Sequence, residues 1–259
     1  MSMNASNDQV KISQGHYANI GHYDHDIEVL LHSKFSLRLV GGRKADPSSS
    51  EKWAQHEVIG LIKYAPAAIR LYNMAYQDNP YVDESLVLLE KRLEEAEDFF
   101  EKETQTLTKL LNAVPSNVII KVVQSTKPFH LKPKFGGNPY ANKGLLVLGA
   151  YDHMMTLMET CRAYGLIKRR KATDIEYKAG RAVRRVFVCP GQFVACDVTR
   201  ADITNNNEKA KAVMVGRGAP KESVMLRNEM PKFGPKSDSE EDTEAAAVIA
   251  ALNGLSENA

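Results

Sequence analysis

Between Pro80 and Pro115 the apolar residues Leu86, Leu89, Leu93, Ala96, Phe100, Leu107 and Leu111 recur three or four positions apart. That spacing lays a single apolar seam along one long helix, 81–113, which Asp78-Asn79-Pro80 starts and Pro115 ends. The rest of its surface is acidic: over 83–103, nine carboxylates stand against three cations. A helix so charged holds only when its seam is covered, so the chain has to supply an antiparallel partner or a short coiled coil.

A second region has the opposite sign. From Ser116 to Phe187 there are fourteen cations and four acids, although the whole chain of 259 residues carries a net charge of only +2. Local asymmetry of this size attracts a polyanion or an acidic protein surface. The region begins with Lys127-Pro128-Phe129-His130-Leu131-Lys132-Pro133-Lys134-Phe135, where Phe129, Leu131 and Phe135 alternate with His130, Lys132 and Lys134. The two-residue period predicts a strand with one buried and one cationic face, paired with the β-branched segment Val118–Gln124. Two helices follow, Asn142–Tyr164 and Asp174–Phe187, with Gly165 at the end of the first and Thr173 capping the second. Between them lies Lys168-Arg169-Arg170-Lys171.

Elsewhere Ile27–Val40 alternates like a strand, and Ser50 is placed to cap a helix from Glu51 that Pro66 kinks or splits. Phe193–Val198 reads as a strand, and Asp202 as the cap of a helix to about Met214. The expected organisation is a flexible arm, 1–26; a strand and helical hairpin, 27–113; a DNA-binding part, 114–200; and a C-terminal helix with a largely disordered acidic tail, 201–259. The fold class is α+β, mostly helical with a short β-ribbon.

Enzyme signatures are missing from the sequence. Gly41-Gly42-Arg43-Lys44 lacks the length and ending of a phosphate loop, and neither a nucleophile elbow nor a helix-borne H-E-x-x-H occurs. His16, His22, His25, Asp24 and Asp26 have ligand chemistry but lie in an arm without a rigid frame. Neither a cofactor nor a metal is expected. The three cysteines form no C-x-x-C pair, so buried thiols in a reducing, cytoplasmic setting are expected, and no apolar run reaches membrane-spanning length.

The strand–helix–helix order of 127–187 resembles the ribbon-helix-helix family, whose strands pair across a two-fold axis and enter the DNA major groove. That resemblance implies a homodimer on double-stranded DNA, with His130, Lys132 and Lys134 facing bases. Lys127, Lys168, Arg169, Arg170, Lys171 and the Thr173 cap would meet phosphates. Arg181 and Arg185, four apart on one helix face, either extend that track or pair with the acidic helix.

A broader resemblance rests on His32-Ser33, Leu37-Arg38-Leu39, Gly42-Arg43, Gly60-Leu61, Gln77-Asp78-Asn79-Pro80-Tyr81-Val82-Asp83, Leu88-Leu89-Glu90, Tyr151-Asp152 and Val198-Thr199-Arg200-Ala201-Asp202-Ile203. On these phrases the chain is similar to a family of proteins carried by integrating conjugative elements and conjugative plasmids, and within it to a plasmid transcriptional activator. The resemblance implies an activator of conjugation genes, with RNA polymerase as a further candidate partner. The alternative is an adaptor of the conjugation machinery that does not bind DNA, its basic helix docked on an acidic surface.

Overall fold

The computed structural model describes residues 27–51 and 54–235. The expectations for the N-terminal arm, its histidine cluster, Trp53 and the acidic tail fall outside these residues. In chain order the elements are β1 (Val29–Leu31), α1 (Lys34–Gly41), α2 (Leu61–Met74), α3 (Pro80–Asn112), β2 (Phe129–Leu131), α4 (Pro139–Ala163) and α5 (Arg169–Val188). Three short helices follow: α6 (Arg200–Thr204), α7 (Glu208–Arg217) and α8 (Glu222–Met225).

The long acidic helix is α3, with Asn79 Oδ1 accepting from the Tyr81 amide and Pro80 in its first turn. Leu86, Leu89, Leu93, Ala96, Phe100 and Leu107 are buried, as the spacing requires. The covering partner is α4, whose residues are buried almost all round; it packs against α1, α2, α3 and α5. Each fully buried Leu in that interface contributes roughly 2 kcal/mol. Close approach of α2 is possible because residue 144 is glycine: a Cβ there would overlap the Tyr64 ring, whose hydroxyl donates to the Tyr140 carbonyl at 2.7 Å. One apolar cluster runs from Leu31 to Cys189, through both of the segments expected as separate units. Cys161 and Cys189 are buried in it, and burial pushes the Cys189 thiol up to about 11.

Several local expectations fail, some for local and some for long-range reasons. Residues 34–41 form a helix rather than a strand: Ser33 Oγ accepts from the Phe35 and Ser36 amides, and Ser36, Leu39 and Val40 form the buried face. No helix starts at Glu51. Ser48 and Ser49 are taken up by turns on Asp46, an isolated bridge joins Arg43 to Val58, and α2 begins only at Leu61. The helix then runs unbroken through Pro66. The carbonyl deprived of its partner there belongs to Ile62, an exposed residue close to the helix start.

Val118–Gln124 forms no ladder. β2 instead pairs antiparallel with β1, in the register Val29↔Leu131, Leu30↔His130, Leu31↔Phe129. The ribbon therefore finds its partner about a hundred residues away in the same chain, not across a two-fold axis as in a ribbon-helix-helix dimer. α5 starts at Arg169, and Thr173 is no cap: its hydroxyl donates to the Arg169 carbonyl within the helix. Phe193–Val198 forms no strand. Thr199, not Asp202, caps α6, in a capping box with Asp202 at its third position, and α7 starts anew after Asn207. Residues 218–235, expected to be disordered, are ordered and pack on α3 and α4: Glu90 accepts from the Lys232 and Phe233 amides, and the Phe233 ring meets Tyr140.

The phrases behind the broader resemblance meet in pairs inside this fold. Asp152 accepts from the His32 and Ser33 amides at 2.9 and 2.8 Å, joining Tyr151-Asp152 to His32-Ser33. Gly42 and Gly60 touch backbone to backbone; Gly42 has φ 70°, and a Cβ on it would come within 2.6 Å of the Gly60 nitrogen. Arg200 is buried between Asp78 and Asp83, 2.6 Å from Asp83 Oδ2, while its amide donates to the Asp78 carbonyl. Its guanidinium also donates to the Val224 carbonyl, and Arg227 reaches Asp78 from the other side.

Candidate nucleic-acid interface

α5 is strongly amphipathic. Ala172, Ile175, Ala179, Gly180, Val183, Val186 and Phe187 form its buried face. Along the outer face Arg170, Asp174, Lys178, Arg181 and Arg185 follow at three- and four-residue intervals, all exposed. Asp174 pairs with Lys178 at 2.8 Å, so this acid offsets one cation of the stripe.

The start of α5 is unusual. Lys168 occupies the N-cap without a side-chain capping bond, and Arg169, Arg170 and Lys171 fill the first turn, which contains no acid. All four side chains are exposed, and among the described residues none has a salt-bridge partner. Cations at a helix N-terminus oppose the macrodipole, at about 0.3–1 kcal/mol each. Here four exposed cations surround the free backbone N–H groups of a helix start, with no acid among the described residues paired to them.

Farther along, α5 lies against α3, and a groove between them is lined by Arg92, Glu95, Phe99, Lys178, Arg181 and Arg185. Arg185 reaches Glu95 there at 3.4 Å, so this residue makes the contact with the acidic helix that was one of its two expected uses. Arg181 has no such partner among the described residues.

The ribbon cations lie apart from this stripe. His130 Nδ1 is 2.6 Å and Lys132 Nζ 3.0 Å from the two oxygens of Glu28, on the solvent face of the β1–β2 pair. The bond with His130, and then that with Lys132, hold the Glu28 carboxyl below the usual carboxylate range. Lys127 and Lys134 are exposed, and Lys134 borders an apolar groove on α2 with Leu131 and Phe135. The apolar face is only partly covered: Leu131 and Phe135 are half-buried and Phe129 is exposed. The α5 stripe is flanked by α3 and α1, and the ribbon continuation by α2, so among the described residues these grooves hold the two sets separately.

Among the described residues no group of three His, Cys, Asp or Glu side chains is placed to hold a metal ion, and no helix is long and apolar enough to cross a membrane.

The AcaB transcriptional-regulator family matches residues 19–237, a span that includes every described element. Among solved structures, selenomethionine-containing AcaB from uropathogenic E. coli aligns over 79% of this chain and 95% of its own, with 13% sequence identity and a TM-score of 0.49. No curated protein matches the chain. With most of its length inside one family, the chain belongs to the AcaB family of transcriptional regulators.

Proposed function

We propose that this regulator binds double-stranded DNA sequence-specifically, with α5 and the cations at its start as the main contact surface, and activates conjugation genes of a mobile element. The carrying observation is the unpaired set Lys168, Arg169, Arg170 and Lys171 in a helix start with no acid in its first turn. Repulsion within the set and the opposing macrodipole make the arrangement costly in the free protein, and a phosphate backbone reverses both terms. Arg181 and Arg185 extend the track along the stripe, and the Thr173 side chain stands exposed beside it.

His130, Lys132, Lys134 and Lys127 form a second patch on the ribbon, suited to base-edge contacts from a homodimer spanning two half-sites. RNA polymerase is the further partner of an activator. Glu28 screens this patch in the free protein, which leaves most of the affinity to α5.

The adaptor reading draws support from the Arg185–Glu95 contact. Exposed ion pairs are worth only about 0–1 kcal/mol, too little to withhold Arg185 from a phosphate, and the cations at the start of α5 are untouched by it.

Fluorescence anisotropy on the native upstream region and on a random duplex, at several salt concentrations, tests the reading. Affinity should fall steeply with salt. Arg169→Ala should weaken both duplexes alike and Lys132→Ala the specific one more. Binding that ignores salt, or no binding to either duplex, leaves the adaptor reading standing.

A further inference from the structure

Beside the α5 stripe, between α1 and α5, lies a cleft of about 660 Å³, within the size range of small-molecule sites. Its chemistry differs from that of the stripe. Arg38 approaches from α1 and Arg184 from α5, and neither guanidinium has a salt-bridge partner among the described residues. Arg184 is half-buried and lies over the bare backbone of Gly180, where a Cβ would come within 2.9 Å of its nitrogen.

Tyr151 of α4 also lines the cleft. The residue is only 3% exposed, yet its hydroxyl makes no hydrogen bond to any described residue. The hydroxyl itself is not sealed from solvent, so it is available to whatever occupies the cleft. Burial, then Glu176 (the single acid lining the cleft), pushes the titration of that hydroxyl up; Arg184 and Arg38 oppose the shift and Asp152 adds to it. Phe35 and Tyr177 supply ring surfaces; Tyr177, 62% exposed, stands at the rim.

Two guanidiniums without a salt-bridge partner among the described residues, a hydroxyl open to the cleft and two rings define the ligand class. We propose that the cleft binds a nucleoside phosphate, with Arg38 and Arg184 on the phosphate, Tyr151 hydrogen-bonded to it, and Phe35 or Tyr177 against the base. Planar guanidinium forks match phosphate oxygens, and stacking on aromatic rings tolerates any base. The site does not depend on DNA binding by α5. Since Tyr177 belongs to both the rim and the outer face of that helix, an occupied cleft lies directly beside the proposed DNA surface.

The test is calorimetric titration of the full-length protein with ATP, GTP, AMP, adenosine and inorganic phosphate. One of the nucleotides should bind saturably, at least tenfold tighter than inorganic phosphate or adenosine. Arg184→Ala should weaken that binding tenfold or more. Tyr151→Phe, which keeps the buried ring, should weaken it severalfold while the thermal unfolding midpoint of the free protein stays in place. Arg169→Ala should leave nucleotide binding unchanged, which separates this site from the α5 track. No saturation up to about 1 mM nucleotide overturns the proposal. Equal binding of inorganic phosphate and nucleotide, or undiminished binding by a folded Arg184→Ala protein, overturns it as well.

Discussion

The buried clasp around Arg200 and the exposed start of α5 both concentrate charge, and they do so in opposite ways. Arg200 sits at 7% exposure with carboxylates on two sides and a carbonyl beneath it, every charge answered within the chain. Lys168 to Lys171 crowd like charges into solvent with no answering group among the described residues. The first arrangement can only be structural, since no room is left for a partner. The second has no such internal answer among the described residues, and the proposed use for it is an external polyanion. The phrases that carry the family resemblance belong to the first kind, and the residues proposed to touch DNA belong to the second.

Breaking the clasp should therefore have the largest effect on stability and no separate effect on binding. Arg200→Ala takes the guanidinium away from the buried Asp83 carboxylate and from Asp78, which keeps Arg227, and losing one partner of a buried ion pair costs about 3–5 kcal/mol. Urea unfolding should show that loss, and DNA affinity per folded molecule should be unchanged. Asp152→Ala comes next. It strips the acceptor from the amides of His32 and Ser33, at about 1–3 kcal/mol by the same assay. If either variant lost DNA affinity while fully folded, the division between clasp and surface would be wrong.

That division also explains what could be read in advance. α3 was legible because a 3.6-residue pattern over many turns has no other solution, and α4 because the long run between Pro139 and Gly165 is apolar all round, as a central helix must be. The ribbon cations and the run before α5 were legible as charge. Their availability was not, because Glu28 is a hundred residues from His130 and Lys132, and Glu95 is ninety from Arg185. Local readings failed where a distant group decided the structure. Ser33 starts a helix because Asp152 and the buried side of α1 hold it there, and β2 ignores the nearby valines of 118–124 for β1. Thr173 looked like a cap because Lys168, which holds that position, contributes no side-chain bond. The cleft over Tyr151 was invisible, since its residues come from α1, α4 and α5 and form no sequence motif.

The surface half of the comparison is sharpened by Arg169→Ala combined with Arg170→Ala. Stability should stay level or rise by about 0.3–1 kcal/mol, because cations leave a helix N-terminus. Affinity for any duplex should fall, and the slope of log affinity against log salt should flatten by about 2, one step for each phosphate no longer neutralised. A stability loss with an unchanged salt slope would make the basic run structural after all.

The smallest expected effect concerns the ribbon, where the two kinds of charge meet. Glu28 answers His130 and Lys132, but all three are exposed, so the pairing is open to exchange. Its carboxyl is held below the ordinary range, so its pairing is intact above the unfolded-state value and disappears only as pH falls through the lower folded value. At neutral pH the screen is therefore complete, and Glu28→Gln removes it without acid. If the ribbon touches DNA, that variant should bind the specific duplex a few-fold tighter, because Lys132 is released and one repelled carboxylate is gone. The gain should vanish when Lys132→Ala is added. An affinity that does not change on Glu28→Gln removes the ribbon from the interface and leaves α5 as its whole extent.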